Sequence, residues 1–176
     1  MKIVDLSLPL YTGMPVYPGD PEASIELFQT VAQNGWDTRR LQINSHDGTH
    51  VNVPAHGVQG GKNLDAYALE DFCGRARIYD LLKPIFPNEG IIFRDQNITK
   101  EIAEKIKFVR PKFVGLSDRF EFDEEIEKDL LRAGIISFER LTNLDKLPEI
   151  FDFYGLPLKI KDGDGSPVRA FAIIQP

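Results

Sequence analysis

Short segments in which apolar and polar residues alternate with a period of two dominate the first half of the chain. This alternation is typical of strands that bury one face, so it predicts a series of short β-strands. Residues 24–31 and 39–45 show this alternation, and residues 2–8 are predicted to form the first strand. Further short strands are predicted at residues 75–82 and 89–93, which are rich in isoleucine and aromatic residues. Between the first two strands, residues 11–21 are rich in proline and glycine, and this composition predicts a loop.

Two segments of the second half have apolar residues at helical spacing. Thr99 is a favourable N-cap for a helix over residues 100–109, and Asp123 is a favourable N-cap for a helix over residues 124–133. These two segments are the main predicted helices of the chain.

Further strands are predicted around and after these helices. Buried strands are expected at residues 112–117 and 135–138, and a terminal hairpin at residues 156–160 and 168–174, around a turn at residues 162–165. No linker or repeat interrupts the pattern. We therefore expect one α/β domain over residues 1–176, with many short mixed strands and two main helices.

The composition excludes several classes of protein. Apolar residues make up 42% and charged residues 27% of the chain, which is ordinary for a globular domain. The net charge of −6 argues against nucleic acid or an anionic membrane surface as the main partner. No segment approaches the ~18 consecutive apolar residues of a membrane helix. The first residues do not resemble a signal peptide, and the single cysteine, Cys73, excludes an internal disulfide framework, so a cytoplasmic protein is expected.

The three histidines, His46, His50 and His56, all lie within eleven residues. In a helix, His46 and His50 would lie one turn apart, as in the zinc-binding H-E-x-x-H segment of metalloproteases. Gly48 and Pro54 disfavour that helix. An extended segment is the better interpretation, and it leaves open either a metal site or three unrelated histidines in a loop.

An extended conformation would place His50, Asn52 and His56 on one face of the segment. A turn at Asp47–Gly48 could fold His46 back toward them. Imidazole and side-chain oxygen groups that converge in this way are suited to a divalent cation such as zinc or manganese.

The segment HDGTHVNVPAH resembles the signature H-x-G-T-H-x-D-x-P-x-H of the cyclase family, which includes bacterial kynurenine formamidase and isatin hydrolase. The resemblance extends to the opening DLSLPLYTGMPVYPGDP, to LEDFCGRARIYDL, and to GSPVRA near the end. It implies a compact β/β/α domain of the swivelling type. It also implies a metal-dependent hydrolase of small amides, N-formyl amides or lactams that forms homodimers or higher homo-oligomers.

The resemblance also implies roles for individual residues. His46 and His50 match metal ligands, Asn52 occupies the place of a ligating aspartate, and His56 matches the histidine that donates and accepts protons. Glu139 matches a ligating glutamate.

Two positions depart from the family pattern: Asn52 replaces an aspartate, and Glu127 stands where the formamidases have a histidine. One carboxylate is lost and one is gained, so the charge of the ligand set is unchanged. An amide cannot bridge two dications well, so we expect one principal metal ion, and the larger share of oxygen ligands shifts the preference from zinc toward manganese. The alternative is that Glu127 is a surface residue and that Glu139 forms a structural ion pair with Arg140.

Three further features receive simpler interpretations. Tyr17 matches a position where formamidases that act on kynurenine carry a tryptophan against the substrate, although it could also pack only on its own loop. The segment Asp162–Gly165 lacks the length of a calcium-binding loop, so it is expected to be only a turn. Trp36 is expected in the core or at a subunit interface. The sequence as a whole favours an amidohydrolase, with a non-catalytic metal- or ligand-binding homologue as the alternative.

Overall fold

A computed structural model describes residues 1–175 of the chain. The described residues form eleven strands and three α-helices. The strands are β1 (Lys2–Asp5), β2 (Ser24–Gln29), β3 (Thr38–Gln42), β4 (His50–Asn52), β5 (Cys73–Ile78), β6 (Gly90–Phe93), β7 (Phe113–Ser117), β8 (Ile136–Leu141), β9 (Ile150–Tyr154), β10 (Gly165–Pro167) and β11 (Phe171–Ile174). The helices are α1 (Val31–Asn34), α2 (Lys100–Val109) and α3 (Glu124–Arg132).

Nine of these strands form one mixed sheet in the order β1-β11-β9-β5-β6-β7-β8-β4-β10. The strands β5, β6, β7 and β8 are parallel, and α2 and α3 form the connections between β6, β7 and β8. The outer strands pair antiparallel. The predicted mixed α/β fold with two main helices is confirmed.

Apolar residues on both faces of the central strands explain why the sheet is covered on two sides. Along β7, Phe113 belongs to one hydrophobic cluster, whereas Val114 and Leu116 belong to the other. The second cluster includes Ile106 of α2 and Leu130 of α3. Because successive side chains of a strand point to opposite faces, this strand contributes to both cores.

The two long helices begin at the predicted N-caps. The Thr99 hydroxyl accepts a hydrogen bond from the Ile102 amide at 3.3 Å, and the Asp123 carboxylate accepts one from the Glu125 amide at 3.0 Å. Both side chains satisfy backbone donors that would otherwise lack a partner in the first turn.

The prediction of a terminal hairpin is wrong. Strand β10 pairs with β4, and β11 inserts between β1 and β9; only one isolated bridge, between Pro157 and Val168, joins the two predicted arms. The strand predicted over residues 24–31 ends at Gln29, and α1 follows it. Turn composition was visible in the sequence, but the competing partners of each strand were distant in the chain.

Strands β2 and β3 form a separate two-stranded hairpin. It leaves a group of large apolar side chains exposed: Leu27, Phe28, Val31, Trp36 and Leu41. Trp36 is 67% exposed and therefore does not belong to the core of this chain. Among the described residues, no helix has both the length and the apolar character required to span a membrane.

Candidate metal centre

Strand β4 positions the polar side chains of the site through its register with β8. His50 pairs with Glu139 and Asn52 pairs with Ser137. Residues two apart in a strand share a face, so these four side chains lie on the same side of the sheet. Val51, between them, faces the hydrophobic core and is fully buried.

On this face, Asn52, Glu127, Ser137 and Glu139 form what we name the buried carboxylate cluster. The Asn52 amide nitrogen donates to Glu127 Oε1 at 2.6 Å and to Glu139 Oε1 at 2.7 Å. Ser137 Oγ also donates to Glu127 Oε1, at 2.8 Å. Helix α3 therefore directs Glu127 toward the site and not toward solvent, because two donors at the sheet surface hold its carboxylate.

The turn before β4 returns His46 to the site. The buried Asp47 carboxylate accepts a hydrogen bond from the Asn44 amide at 2.8 Å, and Gly48 adopts a φ of 62°. A Cβ at Gly48 would lie 2.7 Å from a Leu10 methyl carbon, so a glycine is required here. The predicted turn at Asp47–Gly48 is confirmed, and it brings His46 Nδ1 to 2.7 Å from Asn52 Oδ1.

His56 reaches the site by a route that strand alternation does not describe. Strand β4 ends at Asn52, and Pro54–His56 form a short 3-10 helix. The prediction that the extended face continues to His56 is therefore wrong, because Pro54 favours the first position of a helix. The turn nevertheless places the His56 ring 3.9 Å from the His46 ring, measured between centroids.

Asp164 is a residue of the site that the sequence analysis assigned only to a turn. Its Oδ2 atom lies 2.8 Å from His46 Nε2 and 3.5 Å from His56 Nδ1. Ligand atoms of these three residues all lie within 4.8 Å of one another, and we name them the histidine cluster. The one signal in the sequence is the glycine that directly follows this aspartate. The structure explains that glycine, because a Cβ at Gly165 would lie 2.6 Å from His46 Cε1.

His50 lies between the two clusters. Its ring centroid is 5.4 Å from that of His46, and its Nε2 atom is 3.4 Å from Glu139 Oε1. The Gly48 carbonyl lies 2.9 Å from His50 Nδ1; because a carbonyl can only accept, Nδ1 carries the hydrogen. In the neutral ring, Nε2 then keeps the lone pair that a metal requires.

The same reasoning applies to His46 and provides a test of whether the site suits a cation. The Asn52 amide nitrogen faces two carboxylates, so its Oδ1 atom faces His46, and His46 Nδ1 must donate to it. In a neutral ring, His46 Nε2 thus presents a lone pair to the Asp164 carboxylate. A lone pair and a carboxylate oxygen in contact require a proton or a cation between them, and imidazole with carboxylate is a donor set that zinc and manganese accept. The residues present therefore fit a divalent cation.

Burial and mutual repulsion act on the carboxylate pair. Burial, followed by the charge of Glu139, raises the pKa of Glu127 to about 7, although hydrogen bonds from Asn52 and Ser137 oppose the change. Burial alone would also raise the pKa of Glu139, but the hydrogen bond and charge of His50 and the bond from Asn52 lower it. Glu139 therefore carries the negative charge more readily than Glu127.

In the histidine cluster, the pKa of the His56 imidazole and that of the Asp164 carboxyl group are both lowered. Burial, followed by the charge of His46, lowers the pKa of His56, and the contact with Asp164 opposes this. Burial would raise the pKa of Asp164, yet the hydrogen bond and charge of His46 lower it to about 2. Asp164 is therefore an ionised acceptor near neutral pH.

Residues of both clusters line a cavity of about 420 Å³. All three histidines line it, as do Glu127 and Glu139. Its mouth includes Tyr17, whose hydroxyl donates to Glu124 Oε1 at 2.8 Å. Phe120, Phe122 and Arg140 also line it, together with the acidic Asp20, Glu121 and Glu124 and the basic Lys128. The structure thus brings every site residue predicted from the sequence to one cavity or to a direct contact with its lining.

Known proteins with similar sequences align with nearly the whole of this chain. The kynurenine formamidase of Salinibacter ruber is 26% identical and covers 97% of this chain and 96% of its own length. The kynurenine formamidase of Bacillus cereus is 28% identical and covers 98% of this chain and 97% of its own length.

Solved structures share the fold. An isatin hydrolase bound to the product analogue thioisatinate superposes with a TM-score of 0.82 at 20% identity, covering 99% of this chain and 93% of that one. A structure described as a potential metal-dependent hydrolase with cyclase activity gives a TM-score of 0.79 at 23% identity and covers 99% of both chains. The Cyclase family model matches residues 4–117, which include β4 and the histidine segment. That match spans more than half of the sequence, and the chain belongs to the Cyclase family.

Proposed function

We propose that this protein is a metal-dependent hydrolase of a small amide, N-formyl amide or lactam. The observation that carries the proposal is the convergence of three imidazoles and the carboxylates of Glu127 and Glu139 at one cavity, with the Asp164 carboxylate in contact with His46. The similarity to kynurenine formamidases and to an isatin hydrolase supports amides as the substrate class.

His46, His50 and Glu139 would hold the metal, with Glu127 and the Asn52 carbonyl as further oxygen donors. When bound, a zinc or manganese ion would act as a Lewis acid on the scissile carbonyl and make water a competent nucleophile near neutral pH. We expect one tightly bound ion per chain, because Asn52 offers a single carbonyl oxygen where a bridging carboxylate would be needed for two.

His56 would serve as the general acid and base. Because its Nδ1 atom lies 3.5 Å from the ionised Asp164, the hydrogen of the neutral ring belongs on Nδ1. Its Nε2 atom is then free to take a proton from the attacking water and to deliver it to the leaving nitrogen. Burial lowers the pKa of His56, which favours the neutral ring needed for the first of these steps.

The residues at the mouth of the cavity indicate which type of substrate it could bind. Tyr17 and Phe120 offer aromatic surface, and Arg140 offers a cation, so a small ring-bearing amide with a polar group is the type of molecule that this cavity suits. Tyr17 would contact the substrate. Its phenol is smaller than an indole and is bonded to Glu124, so kynurenine derivatives are one option within the class.

A second candidate function is a non-catalytic metal- or ligand-binding homologue. It is favoured by the Asn52 amide, which satisfies both glutamates by hydrogen bonds without any cation. Intact His56 at the cavity favours the enzyme.

We further propose that the protein forms a homodimer or a higher homo-oligomer through the β2–β3 hairpin. A lone two-stranded hairpin is only marginally stable in water, and this one exposes five large apolar side chains. A second copy of the chain would cover them. A cytoplasmic location is also part of the proposal, in keeping with a single free cysteine.

Trp36, the single tryptophan of the chain, can report this association. We expect light scattering to give a dimer or larger species, and tryptophan fluorescence to shift to shorter wavelength as the protein concentration rises. Trp36→Lys should weaken association, whereas Leu82→Lys, at an apolar residue that is 91% exposed elsewhere, should not. A monomer at all concentrations would contradict the proposal.

Activity is tested with metal-stripped protein, to which zinc or manganese is added back. We expect metal-dependent hydrolysis of an N-formyl aromatic amide or an isatin-type lactam. Tight binding of one ion without hydrolysis of any substrate in such a panel would favour the non-catalytic homologue. Two tightly bound ions per chain would contradict the single-metal site.

A further inference from the structure

The carboxylate that position 52 lacks has a counterpart on the neighbouring strand. Gly165 of β10 lies directly opposite Asn52 of β4, and Asp164 precedes it. Both positions contact the same imidazole: Asn52 Oδ1 lies 2.7 Å from His46 Nδ1, and Asp164 Oδ2 lies 2.8 Å from His46 Nε2. The ring of His46 thus has an amide on one side and a carboxyl group on the other.

Position 52 offers a cation no charged oxygen in this arrangement. Its amide nitrogen donates to Glu127 and Glu139, and its neutral carbonyl oxygen already accepts a hydrogen bond from His46. Asp164, in contrast, faces two imidazole nitrogens, those of His46 and His56.

The backbone holds Asp164 at this place. Its carbonyl accepts a hydrogen bond from the Val53 amide at 3.1 Å, and the Gly163 carbonyl accepts one from the Leu64 amide at 2.7 Å. Gly165 allows the close approach, since a Cβ there would meet His46 Cε1 at 2.6 Å and Val51 O at 2.6 Å. The turn is therefore built against the histidines and is not a free surface loop.

We infer that Asp164 is a metal ligand, which supplies beside His46 the carboxylate oxygen that Asn52 cannot provide. The ligand is a divalent cation, zinc or manganese. Asp164 lies outside the ligand set that the resemblance implies. The inference rests on the proposed function only in that a cation binds at this cavity, and it does not require catalysis. The 3.5 Å contact with His56 would keep that ring beside the cation as a proton carrier.

The experiment measures the affinity of the metal-free chain for Zn²⁺ and, separately, for Mn²⁺, by competition with a chromophoric chelator. Asp164→Asn keeps the shape of the side chain and removes its charge, and we expect it to weaken binding by at least about tenfold. Asp164→Ser should weaken it similarly, and it provides a second variant should the first fold poorly. Asp162→Asn is the matched control, since it removes one charge from an exposed residue of the same turn, whose φ of 55° asparagine tolerates; its affinity should equal that of the unaltered chain.

The double variant Asn52→Asp with Asp164→Asn tests the replacement directly. It moves the carboxylate from one side of His46 to the other, so most of the lost affinity should return. The inference is overturned if Asp164→Asn binds metal as tightly as the Asp162→Asn control. It is also overturned if the double variant binds as weakly as Asp164→Asn alone.

The outcomes separate this inference from the proposed function. Metal binding that depends on Asp164, in a protein that hydrolyses no amide, would leave the inference intact and refute the enzyme. Amide hydrolysis with metal affinity independent of Asp164 would do the reverse.

Discussion

The two polar clusters of the cavity meet at His50 but satisfy their hydrogen bonds differently. In the buried carboxylate cluster, Asn52 and Ser137 supply a donor for each acceptor that faces them, so no cation is needed to complete it. In the histidine cluster, the lone pair of a neutral His46 faces the ionised Asp164, and a proton or a cation must lie between them.

This difference indicates which of the two clusters a metal ion would enter more readily. A cation would replace a proton in the histidine cluster, where the side chains of His46 and Asp164 are 19% and 42% exposed. In the buried carboxylate cluster it would have to displace hydrogen bonds that are already made, at a site where Asn52 is fully buried. Because residue 52 is an asparagine, the groups that need a proton or a cation between them lie in the histidine cluster and not in the buried carboxylate cluster.

Removal of the His56 imidazole is expected to have the largest effect. His56→Ala should lower turnover by about 10²- to 10⁴-fold, because no other group would carry the proton between water and the leaving nitrogen. Metal content, measured by elemental analysis, should stay as in the unaltered protein. Loss of the metal together with activity would show instead that His56 is itself a ligand.

A negative charge at position 52 should make the buried carboxylate cluster require a cation. Asn52→Asp places a third carboxylate against Glu127 and Glu139, so the metal-free protein should lose about 3 kcal/mol of unfolding free energy. Zinc should restore part of this loss and should bind more tightly than to the unaltered chain. Urea denaturation with a chelator and with zinc measures both effects, and Asn88→Asp, at an exposed residue, is the control. Unchanged stability without metal would contradict the assignment of the hydrogen bonds to Asn52.

The stability of the metal-free protein should depend on pH through Glu127. Its pKa is raised to about 7, so the folded state retains a proton that the unfolded chain releases near its ordinary pKa of 4.5. The free energy of unfolding should therefore fall as the pH rises from about 4.5 through about 7, by about 3 kcal/mol.

Glu127→Gln should remove most of this decline, because a neutral amide does not titrate. Glu125→Gln, on the exposed side of α3, should leave the decline in place. Glu139 acts in a different range: its pKa is lowered, so its contribution to stability is lost only as the pH falls below the ordinary value for a glutamate. Urea midpoints measured across this pH range would decide the matter, and a decline that persists in Glu127→Gln would assign it to another group.

The smallest expected effect concerns the mouth of the cavity, which belongs to neither cluster. Tyr17→Phe removes the exposed hydrogen bond to Glu124 but keeps the ring, so KM should change by no more than about threefold and kcat should stay the same. A large fall in kcat would mean that the Tyr17 hydroxyl takes part in the reaction.

The sequence was sufficient for features that depend on near neighbours. The caps Thr99 and Asp123 and the turn at Asp47–Gly48 act within a few residues of their own position, and the structure confirms them. The route to His56 and the terminal hairpin were predicted wrongly. In both cases a proline turn or a distant strand competed successfully with the local pattern.

The sequence by itself determined the types of the main elements and supplied the histidines, the asparagine and the glutamates of the site. Only the tertiary structure decided that Glu127 faces inward, that the Asn52 amide nitrogen faces two carboxylates, and that Asp164 contacts His46. The physical reason is separation along the chain: Glu127 follows its partner Asn52 by 75 positions, and Asp164 follows His46 by 118. Such contacts follow from the register of β4 between β8 and β10 and from the packing of α3, which no local pattern of residues encodes.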